Sequence, residues 1–141
     1  MGMNTFYIAT SLSRIKEHHL VRDMLHSEGY KITYDWTSHG SARTISTERL
    51  AEVAELEIEG VLEADFVIVL LPGGKGTHTE FGMALGSGKP IIIHSEDPAP
   101  FQLGEQTVAF YHVPNITHIC CPLSSPQAIL EAVKGLFSTI S

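Results

Sequence analysis

The chain has 141 residues, of which 43% are hydrophobic and 18% charged, and its formal net charge is -7 at pH 7. This length fits one domain, 1–141, with a core of its own, and the acidic balance argues against a nucleic-acid polymer as partner. No apolar run approaches the roughly 20 residues that span a bilayer. No signal-peptide pattern opens the chain either, so we expect a cytoplasmic protein without membrane contact.

Strand-like and helix-like segments alternate along the sequence. Apolar, β-rich runs predict strands at Thr5–Thr10, Tyr30–Trp36, Phe66–Leu71, Pro90–His94 and Ile116–Cys121. Apolar stripes at helical spacing predict helices that end at Gly29, begin at Ser46 or Thr47, begin at Thr77 and begin at the Ser125-Pro126 pair. The alternation predicts a single α/β domain, a flavodoxin/Rossmann-like three-layer sandwich with a five-stranded parallel sheet of order 2-1-3-4-5.

Two loops lie where such a sheet binds ligands, at the carboxyl ends of strands one and three. Closely spaced glycines in the second loop let backbone N–H groups approach a ligand, and the positive end of the next helix points there. We therefore expect these two loops to bind a small ligand. Lys75 either contacts a phosphate of that ligand or lies in solvent. The residues concerned are Thr10, Ser11, Ser13 and Arg14 in the first loop and Gly73, Gly74, Lys75, Gly76 and Thr77 in the second.

Glu80 ends the second loop and has two interpretations. It can complete a capping box with Thr77, in which the glutamate bonds back to the Thr77 amide. Alternatively, Glu80 is a nucleophile that the helix N-terminus keeps ionised. Its position favours this role, because it lies beside the glycines at the switch point of the sheet, where the chain order of the strands reverses between strands one and three.

Glu57 falls on the apolar side of the second predicted helix. On a helical wheel it lies inside one arc formed by Leu50, Val53, Ala54, Ile58, Val61 and Leu62. A carboxylate there is costly unless it is paired or functional. It is either a buried ion pair or a second carboxylate that reaches Glu80, as glycosidic cleavage commonly requires. Asp35 is another candidate for that role or for a sugar hydroxyl, and it equally fits a strand-end turn, with Trp36 as an anchored aromatic.

Metal and redox chemistry receive no support from the sequence. The eight histidines include no ligand spacing such as H-x-x-x-H, so we expect no metal ion and no cofactor. Cys120 and Cys121 are adjacent in an apolar run and are expected to be reduced and buried in a strand.

Three motifs give a family resemblance that covers roughly 6 to 93. They are Tyr7–Ser11 (YIATS), Glu63–Asp65 (EAD) and Gly76–Gly82 (GTHTEFG). With these segments the chain resembles the nucleoside 2-deoxyribosyltransferase superfamily, which includes the deoxynucleoside 5′-monophosphate N-hydrolases. The resemblance implies that Glu80 attacks the anomeric carbon, that Tyr7 positions it, and that Glu57 stands where the family usually has an assisting aspartate.

The same resemblance bears on substrate and acceptor. The hydrolases hold a 5′-phosphate with serine and arginine after strand one, which implies a role for Ser11, Ser13 and Arg14. The transferases often carry an aspartate six residues before the nucleophile, where this chain has Gly74. The segment 72–80 also resembles the PGGxGTxxE loop of the cytokinin-activating phosphoribohydrolases, and both families form dimers or larger assemblies.

The sequence thus predicts an enzyme that cleaves the N-glycosidic bond of a nucleoside or nucleoside 5′-monophosphate and passes the sugar to water or another base. A homodimer or higher homo-oligomer is expected. The alternative is a nucleotide sensor that uses the same pocket without turnover, which would bind its ligand but release no free base.

Overall fold

The computed structural model describes residues 4–39 and 45–136. Its five strands form one sheet in the order β2-β1-β3-β4-β5, and every neighbouring pair is parallel. The predicted α/β architecture and strand order are therefore confirmed. None of the helices in the described ranges is both long and apolar enough to cross a lipid bilayer.

The helices and strands alternate as expected. The strands are β1 (Thr5–Ala9), β2 (Lys31–Ile32), β3 (Phe66–Leu70), β4 (Ile91–Ser95) and β5 (Ile116–Cys120). The helices are α1 (Ile15–Ser27), α2 (Thr47–Glu63), α3 (Lys75–Gly86) and α4 (Gln127–Gly135). Short 3-10 helices lie at Leu12–Arg14, Trp36–Ser38, Ala99–Phe101 and Ala109–His112, the last two inside the otherwise irregular segment between β4 and β5.

The sheet is covered on both faces, and side chains alternate between the two cores. One core joins Tyr7 and Ala9 of β1 to α2 and α3, and the other joins Phe6 and Ile8 to α1 and α4. All five residues of β3 are buried, as a central strand requires. This alternation fixes the direction of Tyr7, which points toward α2 and α3.

Asp65, in the short connection from α2 to β3, joins the central strands. Its carboxylate accepts hydrogen bonds from the backbone N–H groups of Asn4 and Thr5 and from the Thr5 hydroxyl, at 2.9, 3.1 and 3.0 Å. These bonds lower the pKa of Asp65. The aspartate of the EAD segment thus has a structural role in aligning β1 with β3.

The second strand is much shorter than the sequence predicts. Only Lys31–Ile32 pairs with β1, whereas the expectation was Tyr30–Trp36. The reason is Asp35, whose carboxylate accepts the Thr37 N–H at 3.0 Å and so caps a 3-10 turn that begins at Trp36. Hydrogen bonds from an Asp side chain to the local backbone compete with hydrogen bonds between strands, and here the capped turn forms instead of a longer strand.

The apolar arc of α2 does not face the core as a whole. Val53 and Val61 are buried, whereas four other members are exposed on one flank of the helix. The exposed members are Leu50, Ala54, Ile58 and Leu62. Periodicity identified the apolar residues of the helix but could not distinguish those that are buried in the core from those that are exposed.

Two helix starts and one strand also differ from expectation. Helix α3 begins at Lys75 rather than Thr77, and Pro126 is the N-cap of α4 rather than its first residue. Strand β5 lies at the sheet edge, so Cys120 is exposed and Cys121 half-buried, and both are free thiols. An edge strand with one open face explains why these cysteines are not in the core. The predicted extension of α4 to residue 137 and the loop residues 40–44 fall outside the described ranges.

Candidate active site

Glu80 occupies the inner face of α3 at the switch point of the sheet. It is 7% exposed and therefore does not point into solvent as a capping glutamate would. Thr77 is the third residue of the helix, and its hydroxyl oxygen accepts the Gly74 N–H at 3.2 Å. Threonine thus caps the helix from inside its first turn, which leaves the Glu80 carboxyl free to face α2 and β1.

The Glu57 side chain, on the neighbouring helix α2, lies close to Glu80. The two carboxyl groups are close enough to influence each other's ionisation, and Glu57 is half-buried. Burial first, and then the negative charge of Glu57, raise the pKa of Glu80 to about 8, and burial also raises the pKa of Glu57. The pair therefore gives up its protons at higher pH than two isolated glutamates would.

The raised pKa of Glu80 differs from the sequence-based expectation. The helix N-terminus was expected to keep Glu80 ionised. Desolvation and a second carboxylate outweigh that effect, because Glu80 sits in the second turn and inside the protein. Two neighbouring carboxyl groups whose pKa values are raised can divide the acid and nucleophile roles between them.

The Tyr7 hydroxyl completes the group from β1. Its side chain is fully buried, and its oxygen has no hydrogen-bond partner of good geometry within the described residues. Burial, followed by the charges of Glu80 and Glu57, raises the pKa of Tyr7 far above its ordinary value. The hydroxyl therefore keeps its proton, and its proximity to Glu80 favours the ionised carboxylate.

Removing this hydroxyl gives a prediction that separates positioning from packing. In Tyr7→Phe we expect kcat/KM for base release to fall by roughly 10- to 10²-fold, the usual effect of one hydrogen bond to a charged group. The acid limb of the pH–rate profile should move to higher pH, because Tyr7 lowers the pKa of Glu80. The melting temperature should change little, because phenylalanine fills the same buried space. A lower melting temperature with unchanged pH dependence would contradict the assignment.

Gly60 allows helix α2 to pack closely against the side chains of Tyr7 and Tyr34. A Cβ there would lie 2.8 Å from Tyr34 Cβ and 3.0 Å from the ring of Tyr7. Gly73 is required for a similar reason, because its Cβ would lie 2.3 Å from Thr77 Cγ2. The sequence pointed to Gly73 through the loop pattern, but the need for Gly60 is visible only from the structure.

The rest of the glycine loop is open. Gly74, Lys75 and Gly76 are exposed, and a Cβ at either glycine would meet nothing within 4 Å. The loop therefore has space for a ligand above the helix start, and the assignment of these residues to substrate stays a prediction.

The loop after β1 places its polar groups at the same end of the sheet. The Thr10 hydroxyl is buried and donates to the Leu70 carbonyl at 2.8 Å, and the Ser11 and Ser13 hydroxyls lie 3.2 Å apart. Arg14 is half-buried, and its Nε is buried without a hydrogen-bond partner among the described residues. Arginine with an unused donor at the carboxyl end of the sheet is suited to an anion, and its role in substrate binding stays a prediction.

His94 is a residue that the sequence did not single out. It is fully buried at the end of β4, where its Nε2 lies 2.7 Å from the Cys121 carbonyl oxygen and its Nδ1 has no partner within the described ranges. Burial lowers its pKa, as does the charge of Arg14. A lone histidine at a strand end carries no spacing signal, so only the fold reveals its position near Arg14.

Asp35 and Trp36 occupy structural positions. Asp35 is held by Arg22, whose guanidinium donates at 2.8 Å, and by Thr37. The Trp36 ring is buried, and its Nε1 donates to the Ile8 carbonyl at 2.8 Å. Both side chains thus have protein partners, and a role for either in substrate binding remains an untested prediction.

Comparison with known proteins places this geometry in context. The family model described as nucleoside 2-deoxyribosyltransferase matches residues 6–128. The chain belongs to the nucleoside 2-deoxyribosyltransferase family. Its Tyr7, Glu57 and Glu80 all lie within the matched region. Family membership supports an enzyme that transfers or hydrolyses a glycosyl group at an N-glycosidic bond.

Solved structures agree on the fold. The structure of a CMP N-glycosidase from Clostridium botulinum is similar to this chain with a TM-score of 0.59 at 18% sequence identity. The similarity covers 92% of this chain and 99% of the clostridial one. A search among curated proteins found no match.

Proposed function

We propose that this member of the nucleoside 2-deoxyribosyltransferase family cleaves the N-glycosidic bond of a nucleoside or nucleoside 5′-monophosphate with Glu80 as nucleophile. The observation that carries the proposal is the buried group formed by Tyr7, Glu57 and Glu80. Burial raises the pKa of both carboxyl groups there, next to a tyrosine hydroxyl whose pKa is raised as well. Retaining glycosidic cleavage uses one ionised and one protonated carboxyl group.

The first step forms a glycosyl-enzyme ester. Once the proton has passed from Glu80 to Glu57, the Glu80 carboxylate attacks C1′ of the sugar. The bond from C1′ to the base nitrogen breaks, its electron pair leaves with the base, and the proton of Glu57 neutralises the base. The Tyr7 hydroxyl holds the attacking carboxylate in position.

The second step frees the enzyme. A water molecule, or a second base, attacks C1′ and displaces the Glu80 carboxylate, while the Glu57 carboxylate accepts the proton of the acceptor. Gly74 provides no carboxylate where the transferases often have one, which favours water over a base as acceptor. Two displacements at C1′ retain its configuration.

A 5′-phosphate fits the loop after β1. Arg14 has a buried Nε without a partner in the described parts of the chain, and the Ser11 and Ser13 hydroxyls lie beside it in the same loop. We infer that these groups bind the phosphate of a nucleoside 5′-monophosphate, as in the hydrolases that the chain resembles. The clostridial structure is itself that of a CMP N-glycosidase.

The test is a substrate panel. Ribo- and deoxynucleosides and their 5′-monophosphates are incubated with the protein, with and without an acceptor base, and free base is measured by chromatography. We expect base release that disappears in Glu80→Ala and exceeds the nucleoside rate when a 5′-phosphate is present. If the wild type binds a nucleotide but releases no base, the proposed enzymatic activity is refuted and the nucleotide-sensor alternative is supported.

We also propose that the chain forms a homodimer through α2 and α3. The exposed flank of α2 carries Leu50, Ala54, Ile58 and Leu62. Beside α3 lies a cavity of about 500 Å³ lined by His78, Phe81, Gly82, Leu85, Gly86, Val108 and Phe110. An extended apolar surface of this kind is characteristic of a protein–protein interface.

The dimer has a direct test by size-exclusion chromatography with light scattering. The wild type should have twice the mass of the chain, and Leu62→Glu should shift it to the monomer, because a charge cannot be buried there unpaired. Leu103→Glu is the matched control, since Leu103 is 99% exposed and lies outside both surfaces. A monomeric wild type, or a Leu62→Glu variant that remains dimeric, would refute this interface.

A further inference from the structure

A second polar cluster lies between α1 and the 3-10 turn that follows β2. It contains His18 and His19 of α1 and Asp35, the cap of the turn. One imidazole nitrogen from each histidine and one Asp35 oxygen all lie within 4.8 Å of one another. None of these three residues takes part in the proposed glycosidic chemistry.

His18 is the unusual member of the cluster. It is 0% exposed, and neither ring nitrogen has a hydrogen-bond partner within the described residues. Its ring packs edge-on against Trp36 at a centroid distance of 5.1 Å, and its Nε2 lies 3.9 Å from Asp35 Oδ1. Buried polar atoms are nearly always satisfied, so two ring nitrogens without a partner, one of them 3.9 Å from a carboxylate oxygen, require a ligand or another explanation.

The surroundings hold the other two groups in place. Arg22 donates to Asp35 Oδ2 at 2.8 Å, whereas Asp35 Oδ1 accepts the Thr37 N–H at 3.0 Å and lies 3.9 Å from His18 Nε2. The Thr37 hydroxyl lies between the remaining groups, 3.0 Å from His19 Nε2 and in contact with Asp35 Oδ1. Partners of this type fix the orientation of a ligating carboxylate in metal sites.

We propose that His18, His19 and Asp35 form a binding site for one divalent transition-metal ion, with Zn²⁺ as the best match. Two imidazole nitrogens and one carboxylate oxygen are a common zinc donor set, whereas Mg²⁺ and Ca²⁺ require oxygen ligands. The Thr37 hydroxyl or a water molecule supplies the fourth position.

The site would stabilise the fold rather than catalyse. It joins α1 to the segment after β2, which also carries the buried Trp36. A cation there would replace the hydrogen bonds of Thr37 and satisfy the buried ring of His18. No sequence pattern indicates this site, because the two histidines are adjacent and Asp35 follows 16 residues after His19, which is not a recognised ligand spacing.

The test measures the metal directly on the full chain without a polyhistidine tag, after treatment with a chelator. Zn²⁺ is titrated against a chromogenic competitor, Co²⁺ absorbance reports coordination, and the melting temperature is recorded with and without Zn²⁺. We expect one ion per chain, a tetrahedral Co²⁺ spectrum and a higher melting temperature with metal.

Variants on α1 locate the ion. His19→Gln should weaken Zn²⁺ binding by at least roughly tenfold and abolish the metal-dependent rise in melting temperature, while circular dichroism confirms an unchanged fold. His26→Gln is the matched control, because His26 lies on the same helix, is exposed and belongs to no such cluster. Absence of saturable binding by the wild type, or wild-type affinity in His19→Gln, would overturn the proposal.

Discussion

Glu80→Gln is expected to lower the rate of base release by roughly 10⁴-fold or more, since losing a nucleophile removes the covalent route altogether. Glutamine has almost the same shape and fills the same buried space beside Tyr7. The loss should therefore appear in kcat without loss of fold, as measured by single-turnover kinetics and circular dichroism. Glu59→Gln, an exposed change on α2, is the control and should retain full activity.

The same substitution should stabilise the protein, and the sign follows from the pKa of Glu80. That pKa is raised from 4.5 to about 8, so the folded state binds more protons than the unfolded state between these values, and wild-type stability falls as pH rises through this window. Glutamine removes that cost. The difference in free energy of unfolding between variant and wild type should grow from pH 5 toward pH 8, as measured by urea denaturation. A variant that is less stable than wild type at pH 8 would contradict the burial of Glu80 beside Glu57.

Glu57→Gln should have the second-largest effect. A general acid and base contributes typically about 10²- to 10⁴-fold, so base release should fall within that range, most strongly for substrates with poor leaving groups. The acid limb of the pH–rate profile should move to lower pH, because the charge of Glu57 raises the pKa of Glu80. This direction is opposite to that expected for Tyr7→Phe.

A conservative substitution, Glu57→Asp, is the control for Glu57→Gln. Glu57→Asp restores the residue type that the family usually carries, and it should recover part of the activity with an acid limb closer to that of the wild type. Glu55→Gln, on the exposed side of the same helix, should leave the rate and the pH profile unchanged. Equal losses in Glu57→Gln and Glu55→Gln would show that the effect is not specific to the carboxyl pair.

Much of the fold follows from local patterns in the sequence. The buried runs of β1, β3 and β4 and the helices between them determine a parallel sheet, and the right-handed connections leave few possible strand orders. The position of Glu57 was also accessible, because a helical wheel places it beside Val53 and Val61, the two arc members that are buried. These features depend on periodicity, which the sequence records directly.

Other features depend on contacts between distant segments. The turn at Trp36 results from the side chain of Asp35, which competes locally with the strand. The burial of Glu80 depends on the packing of α3 against α2, and periodicity alone cannot distinguish this arrangement from a capping box. His18 and His94 carry no sequence signal, since their unusual environments arise from neighbours that are remote along the chain.

The most direct test of the central claim is to identify the atom that carries the sugar during turnover. The protein is mixed with a slowly cleaved substrate from the panel, quenched in acid, digested and analysed by mass spectrometry. The proposed mechanism predicts a peptide with the mass of one added sugar unit at Glu80, and no such adduct in Glu80→Gln. Base release by the wild type with the sugar attached to another side chain, or to none, would contradict it.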